Sequence, residues 1–236
     1  MQIDNLMVKK IIITGGLGYI GTELCKIYSG FSWHHNIIVI DNRFISERIN
    51  QIRNWNMKFV HGDILDKELV KNLFKDADVV HHLAGITDVP RTKNESNVDK
   101  DKMIKLVGEE GTQNILNTIS NKCKIIFPST HVVYEGIEKV KNDIKEDEDT
   151  KPVLSYSSSK AINEKQLKIS GKNYVILRLG SVYGYSTDTA RIDIMPNLFS
   201  KIASQNGTLK LFSGGEQIKS LVPLMDVARC FKFMEE

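Results

Sequence analysis

Cysteine is scarce in this chain of 236 residues: three, at Cys25, Cys123 and Cys230, far apart, odd in number and without a C-x-x-C pair. That argues against a disulfide framework and a thiolate zinc site, and fits thiols kept in a reducing compartment. Long apolar runs are lacking. None approaches the roughly 18 residues that a membrane span needs, and Met1 to Lys10 has no apolar core of a secretory signal. A dominant charge is lacking too. Lys and Arg number 32 against 29 Asp and Glu, a formal net charge of +3, which gives no electrostatic ground for a nucleic-acid or membrane partner. No metal site is expected. His81 and His82 are neighbours on a predicted strand and point to opposite faces, and His34 and His35 fall in a predicted loop. What remains is an ordinary globular composition, 41% hydrophobic and 26% charged, and the expectation is a soluble, cytoplasmic protein.

Short apolar runs alternate with amphipathic stretches. Lys10–Thr14, Ile37–Ile40, Met57–Val60, Val79–Leu83, Ile125–Phe127 and Tyr174–Leu177 are rich in β-branched residues and end at Gly, Pro or Asp. Each reads as a strand buried on both faces, as a parallel sheet requires. Between them, 19–28, 66–75 and 96–119 read as helices. Strand, helix, strand in repetition predicts a doubly wound α/β fold with a parallel sheet, its ligands bound at the carboxyl ends of the strands. The charged stretch Lys139–Lys151 reads as a solvated loop. Beyond Gly184 the alternation fades into a helix at 194–204, a strand at 209–212 and a helix at 226–234. A division follows into a dinucleotide-binding domain, 1–184, and a smaller, partial substrate lobe, 185–236.

Thr14-Gly15-Gly16-Leu17-Gly18-Tyr19-Ile20-Gly21 closes the first strand and opens the first helix. Gly15 permits a tight turn, Gly18 lets a pyrophosphate approach the backbone, and Gly21 lets the helix pack on the sheet. The helix amino terminus then offers unpaired N–H groups to phosphate. Asp41 ends the second strand about 20 residues on, where a carboxylate accepts hydrogen bonds from a ribose and repels a 2′-phosphate. The cofactor expected is therefore NAD, although Arg43 nearby leaves room for NADP. Asp63, after the third strand, is placed either to receive an adenine amino group or to cap a helix.

Tyr156-Ser157-Ser158-Ser159-Lys160 opens an amphipathic segment. On a helix, Tyr156 and Lys160 stand on one face. An ammonium beside a phenol favours the phenolate and is expected to lower its pKa, making Tyr156 a base near neutral pH. Thr130 follows a strand at the same sheet edge and can hydrogen-bond the same substrate oxygen.

These residues carry a resemblance. The chain resembles an extended short-chain dehydrogenase/reductase of the NAD-dependent epimerase/dehydratase family, whose members act on nucleotide sugars. Besides the glycine turn, the marks are Asp41-Asn42, Gly62-Asp63-Ile64, His82-Leu83-Ala84-Gly85, Pro128-Ser129-Thr130 with Val133-Tyr134, Tyr156 to Lys160 with Glu164, Leu177-Arg178 with Val182-Tyr183-Gly184, and Gly214 to Gln217 leading to Asp226-Val227-Ala228. The resemblance implies that Gly15, Gly18, Tyr19 and Ile20 hold the pyrophosphate, Asp41 and Asn42 the adenosine ribose, and Asp63 and Ile64 the adenine. Leu83, Ala84 and Gly85 line the cofactor channel, and Tyr156 and Lys160 reach the nicotinamide end. Thr130, Tyr156 and Lys160 form the catalytic set. Thr87, Ser181, Arg191 and Lys219 are the substrate-binding candidates. The implied reaction is epimerisation of a nucleotide sugar by transient hydride transfer from a sugar carbon, C4, to NAD with Tyr156 as base. A homodimer formed through 96–119 and the Tyr156 segment is implied as well.

Departures from the family pattern bear on that expectation. His131 and Val132 stand where the 4,6-dehydratases carry an Asp-Glu pair, which disfavours dehydration. Gly108 and Ser181 replace frequent asparagines, and Lys219 replaces an arginine. The chain also ends soon after Asp226-Val227-Ala228, where family members continue, so an incomplete substrate lobe is expected. Two other functions fit the same residues: a dehydrogenase, ketoreductase or dehydratase of the family, and a non-catalytic dinucleotide-binding scaffold.

Overall fold

The computed structural model describes residues 8–87, 97–138, 141–187 and 191–236. Six strands, β1 (Lys10–Thr14), β2 (Asn36–Asp41), β3 (Lys58–His61), β4 (Val79–His82), β5 (Lys124–Thr130) and β6 (Asn173–Leu179), form one parallel sheet in the order β3-β2-β1-β4-β5-β6. The order reverses at β1, so a crevice opens between β1 and β4 at their carboxyl ends. β1 is central because it can be dry on both faces. Ile11, Ile12 and Ile13 are all fully buried. Ile11 and Ile13 pack with Leu24 and Tyr28 of α1 (Tyr19–Tyr28), and Ile12 packs with Val70 and Phe74 of α3 (Lys67–Phe74) on the other face.

Apart from the one at 209–212, the predicted strands fall where the sequence pattern put them, within a few residues, as do the helices predicted at 19–28 and 66–75. Asp66, the first residue of the helix predicted at 66–75, is the cap of α3, its carboxylate accepting from Leu69 N at 3.0 Å. Helix α2 (Ser46–Asn54) has no counterpart among the predicted elements, because it buries only Ile49 and Ile52 and its apolar stripe is too thin to read. The single helix predicted over 96–119 is two: α4 (Val98–Lys105) and α5 (Gly111–Thr118), joined by a π-helical turn at Leu106–Glu110. Ser96 lies outside the described residues. The strand predicted at 209–212 is absent. Leu209 and Leu211 are exposed and run into a 3-10 turn at Phe212–Gly215, since a strand forms only where another edge satisfies its backbone. The edge that does so belongs to β8 (Leu221–Pro223), which pairs in parallel with β7 (Ser181–Tyr183).

Beyond Gly184, α7 (Met195–Ser204) fully buries no side chain, whereas α8 (Leu224–Phe233) joins the main core. Leu224, Val227 and Phe231 share a cluster with Ile11, Ile13 and Leu24. A buried polar knot fastens the same end. Tyr28 Oη donates to Glu235 Oε2 at 2.5 Å, so the His81 Nε2 that lies 2.6 Å away must carry the proton and donate to Tyr28. His81 Nδ1 then remains a bare acceptor, buried without a partner.

Candidate active site

The glycine turn is built by necessity of close approach. Gly15 has φ of +65°, and a Cβ on it would lie 2.8 Å from Ala84 N. Gly15 N donates to Ile40 O at 2.8 Å, tying the turn to β2. A Cβ on Gly21 would strike the Gly15 carbonyl, so α1 can press against the turn only through glycine. The amides of Tyr19, Ile20 and Gly21 occupy the first turn of α1, which has no preceding helical carbonyl to bond. The Tyr19 side chain plays a different part from its amide. Its hydroxyl donates to Gly184 O and accepts from Asn197 Nδ2 at 3.1 Å, pinning the start of α1 to the end of β7 and to α7.

Asp41 ends β2 beside this turn and is 6% exposed. Its Oδ2 accepts from Leu17 N at 2.9 Å and its Oδ1 from Arg43 N at 2.9 Å, with Arg43 Nε at 3.4 Å. The carboxylate therefore braces the turn. Asn42 Nδ2 donates to Asp63 Oδ2 at 3.0 Å, and Asp63 Oδ1 takes the amide of Leu65 at 2.9 Å. The helix-cap reading of Asp63 is overturned: Asp66 caps the next helix, and the Asp63 carboxylate holds the turn before it and the Asn42 amide. Ile64 is buried against Gly111 at the start of α5.

At the end of β4 a relay of hydrogen bonds sets the next segment. Ala84 N donates to Thr14 Oγ1 at 2.9 Å, Thr14 Oγ1 meets His82 Nδ1 at 3.1 Å, and His82 Nε2 meets Thr112 Oγ1 at 2.9 Å. Burial, with the Lys160 cation adding to it, pushes the His82 pKa down to about 3. The imidazole is thus neutral, and a neutral ring accepts from one threonine while donating to the other. Leu83 is half-buried, and Gly85 faces open space with no atom near its missing Cβ.

Helix α6 (Ser155–Ile169) brings Tyr156 and Lys160 to this cleft. Ala84, Gly85, Ile86, Phe127, Tyr156 and Lys160 share its wall. Lys160 Nζ donates to Pro128 O at 2.7 Å and stands 4.3 Å from the Phe127 ring centroid and 6.0 Å from that of Tyr156. Burial lowers its pKa to about 7, against the opposing pull of Glu164. Thr130 ends β5, its Oγ1 accepting from Val132 N at 3.3 Å, and it is one of the groups that favour the Tyr156 phenolate. Catalytic candidates Thr130, Tyr156 and Lys160, read from separate parts of the sequence, are together.

One expectation is overturned. The Tyr156 pKa is raised, not lowered, because burial outweighs the groups that favour the phenolate; these are the Arg191 cation and the Thr130 hydroxyl, and Lys160 is not among them. Four residues further along, Glu164 is buried and gripped by Arg178 Nε at 2.9 Å and Nη2 at 2.6 Å, with Ser129 Oγ at 2.5 Å. Burial pushes the Glu164 pKa up, but these hydrogen bonds prevail and hold it below the usual carboxylate range.

The substrate candidates are less concentrated. Arg191 Nη1 donates to Thr87 O at 2.8 Å, bridging the loop after β4 and the segment before α7. Ser181 opens β7, its amide donating to Ser220 O at 2.7 Å. Lys219 is exposed in the segment before β8, and no contact draws it to Tyr156. Two residues near the cleft escaped the sequence reading. Asn163 had a readable signal, as a polar residue on the inner face of a helix. Glu135 had none: its Oε1 accepts from Val153 N at 2.8 Å and Leu154 N at 2.7 Å, capping α6 from the other side of a loop.

A parallel sheet of this strand order, a glycine turn at its reversal and a Tyr-Lys pair facing that crevice define a dinucleotide-binding α/β protein of the short-chain dehydrogenase/reductase type. The chain belongs to the NAD dependent epimerase/dehydratase family, whose model matches residues 11–236. Among its relatives, the dTDP-D-glucose 4,6-dehydratase of Dictyostelium discoideum is 29% identical over 97% of this chain. The putative UDP-glucose 4-epimerase of Methanocaldococcus jannaschii is 29% identical over 93%. This chain spans 56% of the first relative's length and 71% of the second's. Of solved structures, the UDP-N-acetylglucosamine 4-epimerase from Methanobrevibacter ruminantium is similar with a TM-score of 0.79 and 26% identity, covering 97% of this chain and 73% of that one. The Bacillus cereus UDP-glucuronic acid 4-epimerase, solved with UDP-glucuronic acid and NAD, gives 0.78 and 27%, covering 96% and 73%. Among the described residues no helix is long and apolar enough to cross a membrane, and no three His, Cys, Asp or Glu residues gather as a metal site.

Proposed function

We propose that this chain is a NAD-dependent nucleotide-sugar epimerase acting at C4 of the sugar. The observation that carries the reading is a cleft walled by Tyr156 and Lys160, four residues apart on α6, with Lys160 Nζ bonded to Pro128 O on the strand that Thr130 ends. The fit to the dinucleotide rests on the turn itself: Gly15 and Gly21 leave no room for a Cβ, Gly85 leaves space, and the first amides of α1 have no helical carbonyl to bond. Gly15, Gly18 and the amides of Tyr19 and Ile20 would hold the pyrophosphate. Asp41 and Asn42 would hold the adenosine ribose, Asp63 and Ile64 the adenine, and Leu83, Ala84 and Gly85 the channel, with Lys160 on the nicotinamide ribose.

NAD, when bound, supplies the two-electron oxidation and reduction of the sugar carbon. Tyr156 Oη takes the proton of the sugar hydroxyl while Thr130 Oγ1 holds the same oxygen. Tyr156 returns that proton once the ketosugar has presented its other face. The raised pKa of the buried phenol makes a cation at the cleft necessary, and Arg191 is the one that favours the phenolate. Arg191, with the Thr87 carbonyl it holds, Ser181 and Lys219 are assigned to the substrate, with the division at Gly184 separating cofactor domain from substrate lobe. A homodimer through α4, α5 and α6 belongs to the same reading.

The absence of a carboxylate pair after Thr130 favours epimerisation over dehydration. His131 Nδ1 lies 3.0 Å from Leu179 O, engaged with the end of β6. The test is direct. Denaturation should release a cofactor whose mass is that of NAD. A panel of UDP-, GDP-, dTDP- and CDP-sugars should yield a C4 epimer with no net change at the reduced-nicotinamide absorbance band. Tyr156→Phe should lower turnover by about 100-fold or more. Intact turnover in that variant rejects the mechanism, and stoichiometric cofactor consumption points to a dehydrogenase or ketoreductase.

A further inference from the structure

Helix α6 meets the π turn at Leu106–Glu110 through polar side chains. Asn163 is 2% exposed. Its Nδ2 donates to Gly108 O and to Gln166 Oε1, each at 2.9 Å. Gln166 Nε2 continues to Glu109 O at 3.0 Å and to Gln113 Oε1 at 3.3 Å. Two successive carbonyls of the turn are therefore held from α6. A π turn slips the helical ladder by one residue, which is what leaves carbonyls open to outside donors. Gly108 allows the approach, because a Cβ there would collide with Ser159 Oγ, the neighbour of Lys160.

The placement of these groups is not that of a helix interface built for stability. Burying an amide is costly unless its hydrogen bonds are met, and a hydrogen bond, unlike an apolar contact, holds in only a narrow range of geometry. What the polar contacts add is direction. Gly108, Ser159 and Asn163 line the same cleft as Tyr156 and Lys160. Tyr156 and Asn163 are seven residues apart, close to two full helical turns, so they share one face. Rotation of α6 about its axis would break the bonds to Gly108 and Glu109 and turn Tyr156 away together.

We infer that Asn163 and Gln166 are positioning residues, a clamp on the π turn that sets the rotation of α6 and so aims Tyr156 and Lys160 into the cleft. The inference rests on the reading of that pair as catalytic. The groups facing Tyr156 are Lys160 from its own helix, Thr130 from β5 and Arg191 from the carboxyl-terminal lobe.

The experiment is a titration of the Tyr156 phenol by near-ultraviolet phenolate absorbance on the full chain, subtracting the trace of Tyr156→Phe. Asn163→Leu keeps the volume and removes the donors. It should move the Tyr156 ionisation down, toward the ordinary phenol value, by about half a pH unit or more. Turnover should fall about 10-fold with KM changed less than about 2-fold. Gln166→Met, at a half-exposed position, should give a smaller shift of the same sign and serves if Asn163→Leu does not fold. An unchanged Tyr156 ionisation in the folded variants, even with a lowered melting temperature, overturns the clamp and leaves ordinary packing. If the parent turns over no nucleotide sugar, the proposed function falls, while the titration still decides the clamp.

Discussion

Lys160 shows how one side chain can work against the fold that holds it. Its pKa of about 7 lies below the ordinary 10.5 because the ammonium is taken out of water. For a base depressed on folding, the unfolded chain binds more protons between those two values. Its favourable contribution is therefore present at high pH and lost as the pH falls from about 10.5 toward about 7. Lys160→Met should stabilise the cofactor-free protein at pH 7 by about 1–3 kcal/mol and abolish turnover, the usual exchange between stability and function. Denaturant melts at pH 7 and pH 9 check it: the gain should shrink at the higher pH. His82 acts otherwise. It was legible only as part of a motif, and its role, as the neutral link between Thr14 and Thr112, depends on strands and helices that the motif does not contain.

Among the elements, α6 is the one on which the site depends. Leu154 at its N-cap offers no side-chain acceptor, and the Leu154 amide is shared between Ser157 Oγ, at 3.2 Å, and an acceptor from outside the helix. Glu135, following the 3-10 turn His131–Tyr134, supplies the acceptor. A carboxylate there also complements the positive end of the helix. Glu135→Ala should cost about 1 kcal/mol of stability, measured by chemical denaturation, and should weaken turnover more than a distant cap would, because Tyr156 lies in the first turn. The two halves of the predicted helix at 96–119 carry the same lesson. Their apolar spacing was readable, but the π turn between them is held by partners from α6. Helix α2 was missed for the opposite reason, its burial resting on two isoleucines among polar residues.

Across the whole molecule, two buried histidines on β4 set the acid limit. His81 and His82 each have a pKa pushed by burial to about 3. Below the unfolded value of about 6.5 the unfolded chain gains protons that the folded one refuses. Each histidine thus removes about 1.4 kcal/mol per pH unit as the pH falls from about 6.5 toward about 3, or about 2 kcal/mol by pH 5. Urea melts at pH 7 and pH 5 should show this loss, and His81→Gln should reduce the slope by about half. The consequence is global because His81 lies in the knot with Tyr28 and Glu235 that joins β4, α1 and the end of the chain.

The strands, the glycine turn and the limits of α1 were set by contiguous residues, because side-chain alternation, β-branching and glycine's backbone freedom act over a few positions. The family marks were legible for the same reason, each being a short run with its own local geometry. Only the tertiary structure decided which groups meet: Thr130 with Tyr156, Arg191 with Thr87, Asn163 with Gly108. It also reversed the expected direction for Tyr156, because loss of water around a phenol depends on every neighbour the fold assembles, and those neighbours are scattered along the chain.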